Sequence, residues 1–137
     1  MMKRDLPLNP KEAIERSEEY YNNAKEILKD VEIKFGLYTD GKKVREACAM
    51  GYLSALTAID AYLLKRGKKP EELPTSFAEY REVVSKMPYN GKLTASLTAV
   101  YQNLHVLGYY RGGIEVEMIK SGFKHAKRII DTIKKLV

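Results

Sequence analysis

The residues best suited to chemistry lie in one stretch, Tyr101-Gln102-Asn103-Leu104-His105-Val106-Leu107-Gly108-Tyr109-Tyr110-Arg111-Gly112-Gly113. Histidine exchanges a proton near neutral pH, so His105 is a candidate general acid or base. Arg111 can hold a phosphate through paired N–H donors or stabilise an anionic transition state. Tyr109 and Tyr110 offer rings on which a base can stack. With Asn103 beside them, His105, Tyr109 and Arg111 would suit a metal-independent phosphodiester cleavage. If the segment is helical as far as Tyr109, the rings of His105 and Tyr109 share a face at four-residue spacing. A plainer reading is the default. A histidine next to an apolar stripe is more often packed than catalytic, and tyrosines at helix ends commonly bury the ring and leave the hydroxyl wet.

Other chemistry finds little footing. The chain has two histidines and one cysteine. It shows no His-Glu-x-x-His, no Glu-x-x-His and no Cys/His spacing, so neither a metal nor a cofactor is expected. Gly41-Lys42-Lys43 and Gly67-Lys68-Lys69 lack the glycine spacing of a phosphate loop. Ser54 and Ser96 lack the surroundings of a nucleophile elbow. Cys48 alone cannot form an internal disulfide; it reads as a small core residue and points to the reducing cytoplasm. His125 reads as a surface residue of a basic helix. Asp60, between Ile59 and Ala61, reads as a polar anchor accepting a bond from a Tyr, Arg or Lys on another helix. His105, His125 and Asp60 can in principle meet in space.

Among the elements around these residues, one stretch organises the rest. Val44–Gly67 is apolar or small on nearly every side, the pattern of a helix enclosed by other helices. An amphipathic helix over 10–35 precedes it, opened by Asn9-Pro10-Lys11-Glu12 as cap, first-turn proline and capping-box acid. Thr39 or Asp40 caps the central helix. Ser76-Phe77-Ala78-Glu79 opens a short helix over 76–87, stopped by Pro88. Helices over 91–110 and 114–136 complete the set. Val31, Ile33, Phe35 and Leu37 alternate like a strand, but no second segment offers a partner, so they are read as the end of the first helix. Residues 1–8 are expected to form a loose arm. The expectation is an all-α, single-domain, up-and-down bundle of four main helices plus one short helix, with mostly antiparallel neighbours.

Composition sets the remaining bounds. The chain has 137 residues, 45% of them hydrophobic and 31% charged, an ordinary globular balance with enough length for a sizeable core. Its N-terminus lacks the apolar run of a signal peptide. The apolar stretch Leu53–Leu64 contains Asp60 and is short for a bilayer, so no membrane association is expected. The net charge is +6, and the excess is concentrated in the last helix. From Lys120 to Val137 the cations Lys120, Lys124, Lys127, Arg128, Lys134 and Lys135 are set against a single acid, Asp131. Such a face is either a solvated helix end or a surface for nucleic acid.

Two pieces resemble the HEPN family of helical domains. Ala55–Gly67, the proline-containing connector and Phe77–Met87 look like that family's small-residue helix, its Gly-Lys-rich end and the short helix that follows. Asn103, His105 and Tyr109 fall where those proteins often carry Asn, His and Tyr. The resemblance covers roughly residues 40–111 and implies a helical fold with nucleic-acid or toxin–antitoxin associations. HEPN ribonucleases also carry an arginine shortly before the catalytic histidine. The corresponding positions here are Thr98, Ala99 and Val100, so the nuclease activity does not carry over with the likeness. The chain is also similar to small bacterial helical proteins grouped as domains of unknown function. The reading that follows is a non-catalytic interaction module, cytoplasmic and homodimeric, with a possible protein partner. Its alternatives are a divergent ribonuclease using His105 and Arg111, and a nucleic-acid binder using the basic C-terminal helix.

Overall fold

The computed structural model describes residues 3–137. It is all-α apart from one very short hairpin. Helix α1 spans Pro10–Lys29, α2 Gly41–Lys65, α3 Phe77–Ser85, α4 Asn90–Val100 and α5 Val116–Lys134. Between α4 and α5 the chain continues as a π-helical segment, Tyr101–Tyr110.

The caps form as their residues dictate. Asn9 Oδ1 accepts the Glu12 amide at 2.8 Å, and Glu12 reaches back to the Leu8 amide at 3.2 Å. Asp40, rather than Thr39, caps α2 by accepting the Lys43 amide. Ser76 accepts the Glu79 amide, while Glu79 binds the Thr75 amide at 2.6 Å.

The first helix does not run to Phe35. It stops at Lys29, and the alternating residues form a hairpin, β1 (Ile33–Lys34) against β2 (Leu37–Tyr38). Phe35 and Gly36 both take the left-handed conformation, φ 54° and 77°. That is the two-residue turn whose twist matches paired strands. The partner strand lies only two residues away. The hairpin also leans on the lead-in to α5: the Tyr38 amide donates to Ile114 at 2.9 Å and the Val116 amide to Gly36 at 3.0 Å.

Helix α2 sits at the centre, packed on α1, α5 and the π segment. Val44, Ala47, Cys48, Ala55, Ala58 and Ile59 have no exposed surface. Ser17 of α1 donates to the Ser54 carbonyl at 2.6 Å, which brings the two helix backbones close. By length and composition α2 is sufficient to cross a membrane, so shortness does not exclude a span. Its apolar surface is instead taken up by the neighbouring helices.

The expected loose arm is also corrected over its described part. Arg4 donates to the carbonyls of Leu73 and Pro74, Asp5 pairs with Arg16 at 3.3 Å, and Pro7 is buried. Met1 and Met2 lie outside the described residues.

Candidate functional site

The candidate stretch from Asn103 to Tyr110 is wound as a π-helix capped by Arg111, whose amide donates to the Val106 carbonyl at 2.8 Å. A continuous α-helix over 91–110 is thereby corrected. Wide turns of this kind recur at functional sites, but here packing accounts for the placement. Leu104 is fully buried between two glycines, Gly51 of α2 and Gly122 of α5, and Gly108 lies against Cys48.

This winding lines up rings. Tyr101, His105 and Tyr109 follow one another at four-residue spacing. His105 stacks on Tyr52 of α2 with centroids 4.4 Å apart and runs nearly parallel to Tyr109 at 6.1 Å. Tyr101 stacks on Phe77 of α3 at 3.9 Å. The result is a strip of aromatic side chains crossing three helical elements. Burial pushes the Tyr52 hydroxyl up to about 12, so it stays protonated. Nothing local in the sequence marks Phe77, Tyr52 and Tyr101 as members of one strip. The spacing of Tyr101 to His105 is visible there, whereas the join to α2 and α3 is tertiary.

The sequence-derived candidates separate into different roles. Asn103 donates to the Met118 carbonyl at 3.0 Å and ties the π segment to α5. His105 is half-buried in the ring strip, and among the described residues no side chain is hydrogen-bonded to its nitrogens. Tyr109 is 44% exposed, and Arg111 is exposed. The Gly112 that follows takes a left-handed φ of 75°, a conformation that favours glycine, and lies beneath the Arg45 guanidinium.

Asp60 and His125 have partners of their own, and neither partner is His105. Tyr80 of α3 donates to Asp60 Oδ1 at 2.9 Å inside the core. Burial raises Asp60 to about 7, against the opposing effects of the Tyr80 bond and then the Arg4 charge. Burial, with Asp60 next, raises the Tyr80 hydroxyl. This is the polar anchor read from the sequence, now with its donor. His125 is not a simple surface residue. Its Nδ1 lies 3.0 Å from Ser96 Oγ, half-buried between α4 and α5. Burial, then the charges of Arg128 and Lys124, lowers its pKa. Among the described residues no group of three or more His, Cys, Asp or Glu is placed to hold a metal.

The basic face of α5 is exposed throughout, but its cations are unequal. Lys127 pairs with Asp131 at 2.9 Å and Lys134 with Glu18 of α1 at 3.0 Å. Lys120, Lys124, Arg128 and Lys135 have no ion pair among the described residues.

Fold and site thus define a small helical domain with an aromatic strip and a basic helix face. The chain belongs to the family described as a domain of unknown function, DUF5618, whose model matches residues 12–135. It is similar to the solved structure of a protein of unknown function from Dyadobacter fermentans, at 30% identity and a TM-score of 0.81, over 95% of this chain and 100% of that one. Among curated proteins there is no match.

Proposed function

We propose that the protein is a non-catalytic helical interaction module that works as a cytoplasmic homodimer. The observation that carries this reading is the setting of His105. Its ring is one member of an apolar strip, flanked by Tyr52 and Tyr109, with no carboxylate bonded to it among the described residues. A general base needs an orienting partner and a reacting proton within reach. A strip of half-exposed rings suits protein contact, because tyrosine buries a large ring at low entropic cost. Leu107, Tyr109 and Tyr110 extend the apolar surface at 42%, 44% and 72% exposure.

The up-and-down arrangement of four main helices belongs to the same proposal. So does kinship with HEPN-like domains, without their nuclease, in a toxin–antitoxin or nucleic-acid setting. Sedimentation tests the module. The wild type should sediment as a dimer and Tyr109→Glu as a 15.7 kDa monomer. A monomeric wild type rejects the homodimer. RNA cleavage should stay at background in both the wild type and His105→Ala. Turnover lost only in His105→Ala would replace this reading with a ribonuclease built on His105, Tyr109 and Arg111.

The free cations of α5 support a second reading, a nucleic-acid surface without chemistry. Retention on RNA or DNA should then weaken steeply as salt rises. Retention that is absent or insensitive to salt rejects it.

A further inference from the structure

A cleft of about 430 Å³ opens between the start of α4 and the end of α5, lined by Tyr89, Lys92, Arg128, Thr132 and Lys135. Its volume lies within the range of small-ligand pockets. Three of its five lining residues are cations, two carry hydroxyls, and none is a carboxylate. None of the three cations has an ion pair among the described residues. The nearby acid on α5, Asp131, is already engaged by Lys127. Like charges gathered around a concave surface repel one another, and a bound anion relieves that repulsion. The lowered pKa of His125, due to burial and then to Arg128 and Lys124, is consistent with this uncompensated positive field.

Tyr89 gives the cleft an apolar side. Tyr89 is 64% exposed although it lines the cavity. Its backbone sits at φ 61°, a conformation that a bulky side chain rarely adopts.

We propose that this cleft binds a small organic phosphate, with the phosphate dianion held by Lys92, Arg128 and Lys135 and the organic group resting on the Tyr89 ring. Arg128 supplies the forked donor that matches phosphate oxygens, and the two lysines act as point charges. Thr132 offers a hydroxyl to the phosphate or to the ester portion. The site is distinct from a diffuse α5 surface. It takes only Arg128 and Lys135 from that face and depends equally on α4 and its lead-in.

The test is calorimetric titration with phenyl phosphate, inorganic phosphate and succinate. An ionic strength of about 0.15 M screens attraction beyond about 8 Å. Phenyl phosphate should bind saturably and more tightly than inorganic phosphate, and succinate weakly or not at all. Arg128→Gln should weaken both phosphates about tenfold, as loss of a bidentate charged contact does. Tyr89→Gly should remove the advantage of the phenyl ester while leaving inorganic phosphate bound. Glycine adopts the left-handed backbone freely, so this variant keeps the fold. Lys120→Gln, on the same helix but outside the cleft, should change nothing. Absence of saturable binding overturns the proposal. So does equal weakening by Lys120→Gln and Arg128→Gln, or succinate binding as well as phosphate does.

Discussion

A carboxyl group shut away from water resists ionisation, because a buried charge loses its hydration. Asp60 is in that position, and its pKa of about 7 contrasts with an ordinary value of 3.8. Between those values the native protein keeps a proton that the unfolded chain has released. Stability therefore falls as pH rises from about 4 to about 7, by up to about 1.4 kcal/mol per pH unit. Asp60→Asn keeps an acceptor for Tyr80 but cannot ionise. Urea unfolding at pH 5 and pH 8 should show a marked loss of stability in the wild type and little loss in the variant. An equal loss in both would show that Asp60 is not the source. His125 acts with the opposite sign. Its lowered pKa means that the unfolded chain takes up a proton first, so stability falls as pH drops below about 6.5. That acid-side decline should be clearest in the Asp60→Asn background. Asp60→Leu is a different experiment, since it strands the Tyr80 hydroxyl in the core. A stability loss of about 1–3 kcal/mol is expected by chemical denaturation. The anchor role of Asp60 was legible because it is the charged residue in the middle of an otherwise apolar helix. Its donor was not, since no periodicity in α2 points to a residue twenty positions later.

The elements divide by how local their causes are. α1, α2 and α3 begin where their capping residues stand, because a cap is a bond between residues three apart. The hairpin is hard to read because its turn is Phe35-Gly36, and phenylalanine is an unusual choice for a position with φ 54°. The period-two alternation is present, but Val31 and Phe35 also fall in step with the helical stripe of α1. The π segment leaves no local trace. It depends on Leu104 and Gly108 meeting α2 and α5, which only the folded chain brings together. The hairpin invites a direct test. Phe35 is fully exposed and strained, so replacing it loses no packing. Phe35→Asn should stabilise the protein by about 1 kcal/mol, the scale of the left-handed penalty that asparagine largely avoids. It should also slow hydrogen exchange at the Thr39 amide, which donates to the Glu32 carbonyl across the hairpin at 2.9 Å. Unchanged stability with unchanged exchange would mean that the turn carries no such strain.

At the scale of the whole molecule, α2, the π segment and α5 interlock through small residues. A Cβ on Gly122 would lie 2.6 Å from Leu104 Cδ2, and one on Gly51 would lie 2.6 Å from the Phe123 ring. Leu104 thus fills a notch made by glycines on two helices, and α2 receives several partners because its own faces are slim. That scaffold role was legible in the run of Ala, Gly and Ser along α2. The notch was not, because its two halves lie far apart in sequence. Interlocked packing makes the same substitution act with opposite signs at different places. Gly122→Ala should destabilise the fold by about 1–3 kcal/mol, because an added methyl in a filled core forces its neighbours aside. At Gly91, in the first turn of α4, an added methyl would meet nothing within 4 Å. There the same change should be neutral or stabilising by up to about 1 kcal/mol, since alanine restricts the unfolded chain and favours helix. Trimming the obstruction provides the decisive comparison. In Gly122→Ala with Leu104→Ala, the new methyl occupies space the leucine has left. The double variant should then lose less stability than the two single changes together, by about 1 kcal/mol or more in a double-mutant cycle. Strict additivity by urea unfolding would mean that Leu104 and Gly122 do not share the notch, and that the three elements are held together elsewhere.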